Sequence, residues 1–145
     1  MKMIDRLFDG PLDIVGDIHG EYDALIALMA KLNYADDGLH PDGRRLVFVG
    51  DLVDRGHDSP AVVEKLMALV KSGCAQCVLG NHEINILRDD IKSENQWFFN
   101  STSATVPDTR TASTSQQTDF LKFFGELPIA LERDDLRIVH ASWNL

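Results

Sequence analysis

Apolar residues in the first half of the chain alternate between short unbroken runs and stripes of helical period. Residues 12–15 form a short run that ends at Gly16-Asp17. Residues 21–32 then carry Leu25, Leu28, Met29 and Leu32 at the spacing of one helix face. A polar stretch, 36–43, leads to a second run at 46–49, closed by Gly50-Asp51. Pro60 suits the first turn of a helix capped by Ser59. Val62, Val63, Leu66, Met67 and Val70 give that helix a broad apolar face, and Ser72-Gly73 ends it with a left-handed cap. A third run, 77–79, ends at Gly80-Asn81, and a third helix is predicted to begin near His82. Short apolar strands separated by helices predict an α/β fold, a parallel βαβαβ sheet with flanking helices. Each predicted strand ends in Gly followed by a possible metal ligand. Ligands bind at the carboxyl ends of strands in such sheets, so these residues are expected to gather on one edge.

The second half reads differently. Residues 101–118 are rich in Ser and Thr and lack apolar periodicity, which predicts a mobile loop, either disordered or covering a substrate. Phe120, Leu121, Phe123, Phe124 and Leu127 predict a helix before Pro128. Residues 129–132 and 136–140 flank Arg133-Asp134-Asp135 as a C-terminal β-hairpin. No internal repeat or boundary interrupts residues 1–145, which read as a single domain.

Composition narrows the function. At 44% hydrophobic and 26% charged residues the chain is globular. A net charge of −9 argues against sequence-independent nucleic-acid binding. It leaves room for a locally positive site built on metal ions. No stretch approaches the roughly 18 apolar residues of a membrane helix, and residues 1–6 lack a signal peptide's apolar run. A cytoplasmic protein without a membrane partner is therefore expected. Cys74 and Cys77 have the spacing of a redox or zinc pair. No second pair follows, and they lead into a strand, so packing at a strand start is expected.

Four clusters carry chemistry. In Gly16-Asp17-Ile18-His19-Gly20, a carboxylate and an imidazole two apart can project to one side where a strand ends, and both suit Mn, Fe or Zn. In Gly50-Asp51-Leu52-Val53-Asp54-Arg55-Gly56, the two oxygens of Asp51 could each bind a metal. Arg55 could hold a phosphate through paired charge-assisted hydrogen bonds, or simply pair with an acid at the surface. In Gly80-Asn81-His82-Glu83, Asn81 is a neutral ligand that keeps a metal strongly Lewis acidic, and His82 is the natural general acid. The fourth is Val139-His140-Ala141-Ser142-Trp143, where His140 ends an apolar strand. Such a histidine alone is more often structural; behind three metal-like clusters it reads as a ligand.

Taken in order, these motifs resemble the calcineurin-like metallophosphoesterases, in the branch that includes bacterial relatives of the serine/threonine protein phosphatases. The resemblance runs from about Asp13 to Trp143. It implies an αββα sandwich, of which this chain is a part, and two divalent ions (Mn, Fe or Zn). It further implies that Asp17 and His19 bind the first ion, Asp51 bridges, and Asn81 and His140 bind the second. His82 is then the proton donor oriented by Asp54, and Arg55, with Asn81, contacts the substrate phosphate. Hydroxide held between the ions would attack phosphorus in line.

The family carries a further metal-binding His, often after Gly, well beyond the position of His140, and often another Arg; this chain ends at Leu145. The expectation is therefore a truncated chain whose second metal site is weak or empty. A face that further strands would cover should expose apolar surface or associate with another molecule. The expected activity is hydrolysis of phosphate esters, with a phosphorylated small molecule, nucleotide or phosphoprotein as substrate. The alternatives are hydrolysis of bis-nucleoside polyphosphates and a catalytically weak scaffold on the same fold. His40 and His57 are expected in solvent-exposed loops.

Overall fold

The computed structural model describes residues 2–100 and 109–143. Two three-stranded sheets face each other. The first is wholly parallel: β2 (Leu12–Val15), β3 (Arg45–Phe48) and β4 (Ala75–Cys77), in the order β2-β3-β4. The helices α1 (Tyr22–Lys31) and α2 (Ser59–Lys71) connect them, as the apolar stripes predicted. The second sheet has the order β1-β5-β6, from β1 (Ile4–Arg6), β5 (Ala130–Arg133) and β6 (Leu136–Val139). Here β5 and β6 form the expected hairpin, with Arg133 paired to Leu136 across a two-residue turn.

The main core lies between the first sheet and its helices. It includes Leu25 and Met29 of α1 and Val62, Val63, Leu66 and Leu69 of α2. It also includes Phe120, Phe123 and Phe124 of α5 (Thr114–Glu126). A smaller core of Leu7, Val47, Val78, Leu131 and Ile138 joins the two sheets. Gln76 reinforces that join. Its Oε1 accepts from the Phe8 N–H at 2.9 Å and its Nε2 donates to the Arg6 carbonyl at 2.7 Å. Among the described residues, no helix is long and apolar enough to cross a membrane.

Register places the site. Val15 pairs with Phe48, and Phe48 with Cys77, so the three parallel strands end level. The chain beyond β4 keeps one more bond to β3, from Val78 N–H to the Phe48 carbonyl, and then changes partner, Leu79 N–H donating to the Pro128 carbonyl just ahead of the hairpin. Because β6 runs antiparallel to β5, its end returns to that corner and delivers His140 beside Asn81.

Several expectations are corrected. The third strand is Ala75–Cys77 rather than 77–79, because its pairing with β3 ends at Cys77 and Leu79 N–H bonds the Pro128 carbonyl ahead of β5. The cap of α2 is Asp58, whose Oδ1 accepts from the Ala61 N–H at 3.0 Å, not Ser59. Ser59 turns its hydroxyl to the Asp54 N–H instead. The loop expected at 101–118 ends earlier than that. Thr114 already opens α5, where Ser113 and Gln116 bond each other's backbone N–H groups in a capping box. Residues 101–108 lie outside the described residues. His40 is not a free loop side chain: it stacks edge-on against Tyr34 and its Nε2 donates to the Leu32 carbonyl at 2.8 Å. Cys74 and Cys77 are free and buried, as the packing reading expected.

Candidate metal centre

Three loops meet at the level ends of the parallel strands, and close backbone contact holds them. A Cβ on Gly80 would collide with Asp51, and one on Gly50 with the Gly80 backbone. Only glycine allows the second and third loops to approach this nearly. The first two loops are laced together: Ile18 and His19 N–H both donate to the Asp51 carbonyl, Gly20 N–H to Leu52, and Gly56 N–H to His19. Four non-glycine residues here hold positive φ, namely His19 (46°), Asp51 (52°), Asp54 (72°) and Arg55 (74°). Such backbone is costly and persists only where its surroundings over-determine it.

Glu83 supplies much of that determination. Its carboxylate is fully buried and accepts three backbone N–H groups: Asp51 at 2.7 Å, Leu52 at 3.0 Å and Gly80 at 3.1 Å. One side chain on α3 (Asn81–Leu87) thus ties the loop after β3 to the loop after β4. Burial, then the nearby Asp51 carboxylate, pushes Glu83 up to about 8 against the pull of those donors.

Asp51, nearly buried, lies at the centre. Its Oδ1 accepts from the His82 N–H at 3.0 Å. Its Oδ2 faces three imidazole Nε2 atoms: His140 at 3.3 Å, His19 at 3.9 Å and His82 at 3.9 Å. Asp17 reaches His19 Nε2 at 3.6 Å, and Asn81 Oδ1 stands 3.0 Å from His140 Nε2. Asp17, His19, Asp51, Asn81 and His140, predicted from four separate stretches of sequence, therefore surround one small space. Two sets of ligand atoms share Asp51: His19 with His82, and Asp17 with His140. The expected pairing was Asp17 with His19 and Asn81 with His140; Asp51 is the shared residue in either grouping.

The tautomers decide what this space can hold. His19 Nδ1–H donates to the Val53 carbonyl at 2.9 Å, and His140 Nδ1–H to the Val49 carbonyl at 2.7 Å. A carbonyl can only accept, so in the neutral rings each Nε2 carries its lone pair, aimed at carboxylate or amide oxygen. Lone pairs facing lone pairs call for a cation between them. Backbone carbonyls fixing the far nitrogen are the usual support for a metal-ligating histidine. The donor set fits divalent ions of the Mn, Fe or Zn type.

His82 is held differently. Its Nδ1–H donates to Asp54 Oδ2 at 2.7 Å, leaving Nε2 on the site side. Burial raises Asp54 above the ordinary carboxylate range, while its bonds to Trp97 and His82 pull it back. Arg55 is exposed, and its Nε donates to Glu94 at 3.2 Å. Neither Glu94 nor Trp97 stands out in the sequence. Both come from the segment after α3, a short 3-10 turn at Ser93–Asn95 and the single-turn α4 (Gln96–Phe99).

Residues 10–142 match the family model described as calcineurin-like phosphoesterase. The chain belongs to this family. Among its relatives is the asymmetrical bis(5'-nucleosyl)-tetraphosphatase PrpE of Geobacillus sp. (strain WCH70), 37% identical over 141 residues and covering 92% of this chain and 57% of that protein. The PrpE of Geobacillus thermodenitrificans (strain NG80-2) is 38% identical over 137 residues, covering 90% and 56%. A crystal structure provisionally assigned as a diadenosine tetraphosphatase superposes with a TM-score of 0.64 at 27% identity, over 98% of this chain and 55% of that one. A Saccharomyces cerevisiae protein serine/threonine phosphatase shares the fold at a TM-score of 0.55 and 22% identity, over 83% of this chain and 34% of that one. The chain thus spans little more than half the length of the curated calcineurin-like relatives it matches.

Proposed function

We propose that this chain carries the metal-binding and proton-donating part of a hydrolase that cleaves bis-nucleoside polyphosphates. The observation that carries the reading is Asp51 Oδ2 facing three imidazole Nε2 atoms within 3.9 Å. The far nitrogen of each ring is already engaged as a donor. Asp17, His19, Asp51, Asn81 and His140 would hold two divalent ions. When bound, such ions supply Lewis-acid charge and lower the pKa of water toward neutrality.

The chain's own groups do the rest. Asp54 accepts from His82 Nδ1–H, so that in the doubly protonated ring the Nε2–H faces the site and can be given to the oxygen of the departing group. Arg55 reaches out from the same loop to hold a phosphate oxygen, and Glu94 steadies its Nε. The nucleotide reading takes precedence over a phosphomonoester or phosphoprotein substrate on the strength of the relatives. Those above 30% identity are named as tetraphosphatases, whereas the protein phosphatase is a likeness in fold alone.

Incubation with diadenosine tetraphosphate and Mn2+, beside p-nitrophenyl phosphate and a phosphopeptide, tests this. Asymmetric cleavage of four phosphates gives a mononucleotide and a triphosphate; symmetric cleavage gives two diphosphates. The expected result is the unequal pair, lost on chelation and in Asp51→Asn. Turnover of the phosphopeptide alone would overturn the nucleotide reading.

A further inference from the structure

Asp54 uses both carboxylate oxygens. Oδ2 takes the His82 Nδ1–H, and Oδ1 accepts the Trp97 indole N–H, also at 2.7 Å. Both partners are buried, with Trp97 only 3% and Asp54 only 2% exposed. We infer that Trp97 is a positioning residue for the proton donor: it fixes the rotation of the Asp54 carboxylate, and through it the ring of His82. This rests on the proposed role of His82.

The case is geometric. A carboxylate bonded at one oxygen can still turn about its Cβ–Cγ bond, and the ring it supports turns with it. A second, rigid donor on the other oxygen removes that freedom. Indole suits the task because Nε1–H is its only donor and its ring is held by packing. Trp97 lies edge-on to Phe98 with centroids 5.6 Å apart, and 6.4 Å from Phe120. Its carbonyl accepts from the Ala112 N–H at 2.8 Å, and Gln117 Nε2 donates to the neighbouring Phe98 carbonyl. A four-residue helix would be a poor platform alone; the chain leading into α5, and α5 itself, make it rigid. The main-chain side of Asp54 is fixed separately, its N–H donating to Ser59 Oγ at 3.0 Å. Trp97 therefore adds what the backbone cannot, the orientation of the carboxylate plane.

Two spectroscopic readouts test this without turnover. The chain has two tryptophans, Trp97 and Trp143, so the indole N–H signal of Trp97 is the one that remains in Trp143→Phe. In the metal-free protein that signal is expected far downfield and should move upfield in Asp54→Asn. An unmoved signal would overturn the contact, and this comparison does not require Trp97→Phe to fold. In long-range 1H–15N spectra, His82 should be a single Nδ1–H tautomer in the parent chain and a tautomer mixture in Trp97→Phe. An unchanged single tautomer would reduce Trp97 to packing.

Turnover supplies a third readout. Trp97→Phe should slow kcat about tenfold on a substrate with a poor leaving group such as an alkyl phosphate. It should change p-nitrophenyl phosphate turnover by less than about twofold, since that leaving group needs little protonation. Equal losses on both would sink the inference. If the parent chain turns over neither of these substrates nor diadenosine tetraphosphate, the proposed function fails, and the tautomer comparison still decides the role of Trp97.

Discussion

Two carboxylate clusters sit at opposite ends of the same parallel sheet, and the protein treats them in opposite ways. At the start of the strands, Asp13 is matched by the chain's own groups. Arg44 binds it through Nε at 2.9 Å and Nη2 at 3.0 Å, and the Tyr34 hydroxyl donates to it at 2.7 Å. The hydrogen bond from Arg44 holds Asp13 below the usual carboxylate range, and burial next to Asp13 pushes the Tyr34 hydroxyl up. At the other end, Asp51 and Asp17 face imidazoles, and Glu83 and Asp54 are raised by burial. Among the described residues the one guanidinium bonded to that cluster, Arg55, reaches Glu94 at its rim. One end is neutralised from within. The other keeps Asp17, Asp51 and its imidazole lone pairs for cations from outside.

The sharpest way to break this contrast is Asp51→Asn. The amide would remove the charge that all three imidazoles share. It should cost far more than the roughly 10–100-fold in metal affinity expected for losing an outer partner. Mn2+ titration by calorimetry should show binding abolished, with turnover gone. Because a repulsive carboxylate is removed, the metal-free protein should be no less stable. Undiminished Mn2+ binding would mean that the ions sit elsewhere.

Glu83 tests how the charged end is held in shape. Glu83→Ala would orphan three buried N–H groups in two loops, at about 1–3 kcal/mol each before relaxation. Urea unfolding should show a loss of at least about 3 kcal/mol. The acid also sets a pH signature in the metal-free protein. Its folded value, about 8, lies above its ordinary value of 4.5, so the folded state keeps a proton that the unfolded chain has lost. This contribution is complete below pH 4.5 and drains away as pH rises toward 8. Glu83→Gln should flatten that decline, and bound Mn2+ should flatten it too by drawing the proton off. A stability that climbs across the window in the parent chain, with no difference in Glu83→Gln, would contradict the assignment.

The sequence reveals the two ends unequally. The strand-end ligands were legible because each breaks an apolar run with Gly followed by Asp or Asn, a local signal. His140 was legible only in company with the others. The second sheet was half visible. The hairpin shows as two runs around Asp134-Asp135, but β1 is three residues, Ile4-Asp5-Arg6, with no apolar pattern, and its partner β5 lies far along the chain. Parallel pairing over that distance leaves no local trace. Glu83 could be noticed as a neighbour of His82, yet its work is on backbone N–H groups, which no side-chain pattern records. Nothing in the sequence around Trp97 marks it as a partner of Asp54. The start of α5 is obscured in the sequence although Ser113-Thr114-Ser115-Gln116 carries a capping signature, because the Ser/Thr-rich stretch before it hides the boundary.

Asp13→Asn probes the self-neutralised end, where the smallest effect is expected. The variant keeps an acceptor for Tyr34 but loses the charge and one of the two oxygens that Arg44 grips. The pair is partly open to solvent, so the cost should be modest, about 1 kcal/mol near neutral pH. Its pH dependence runs opposite to that of Glu83. The folded-state value of Asp13 lies below its ordinary 3.8, so the stabilisation is present above that pH and is lost as pH falls through the depressed value. Parent chain and variant should therefore differ by a constant amount above about pH 3.8 and draw together as pH falls below it, while Mn2+ titrations remain superimposable. An Asp13→Asn protein with altered Mn2+ binding would show that the two ends are coupled through β2, and that the division of labour between them is not as clean as their chemistry suggests.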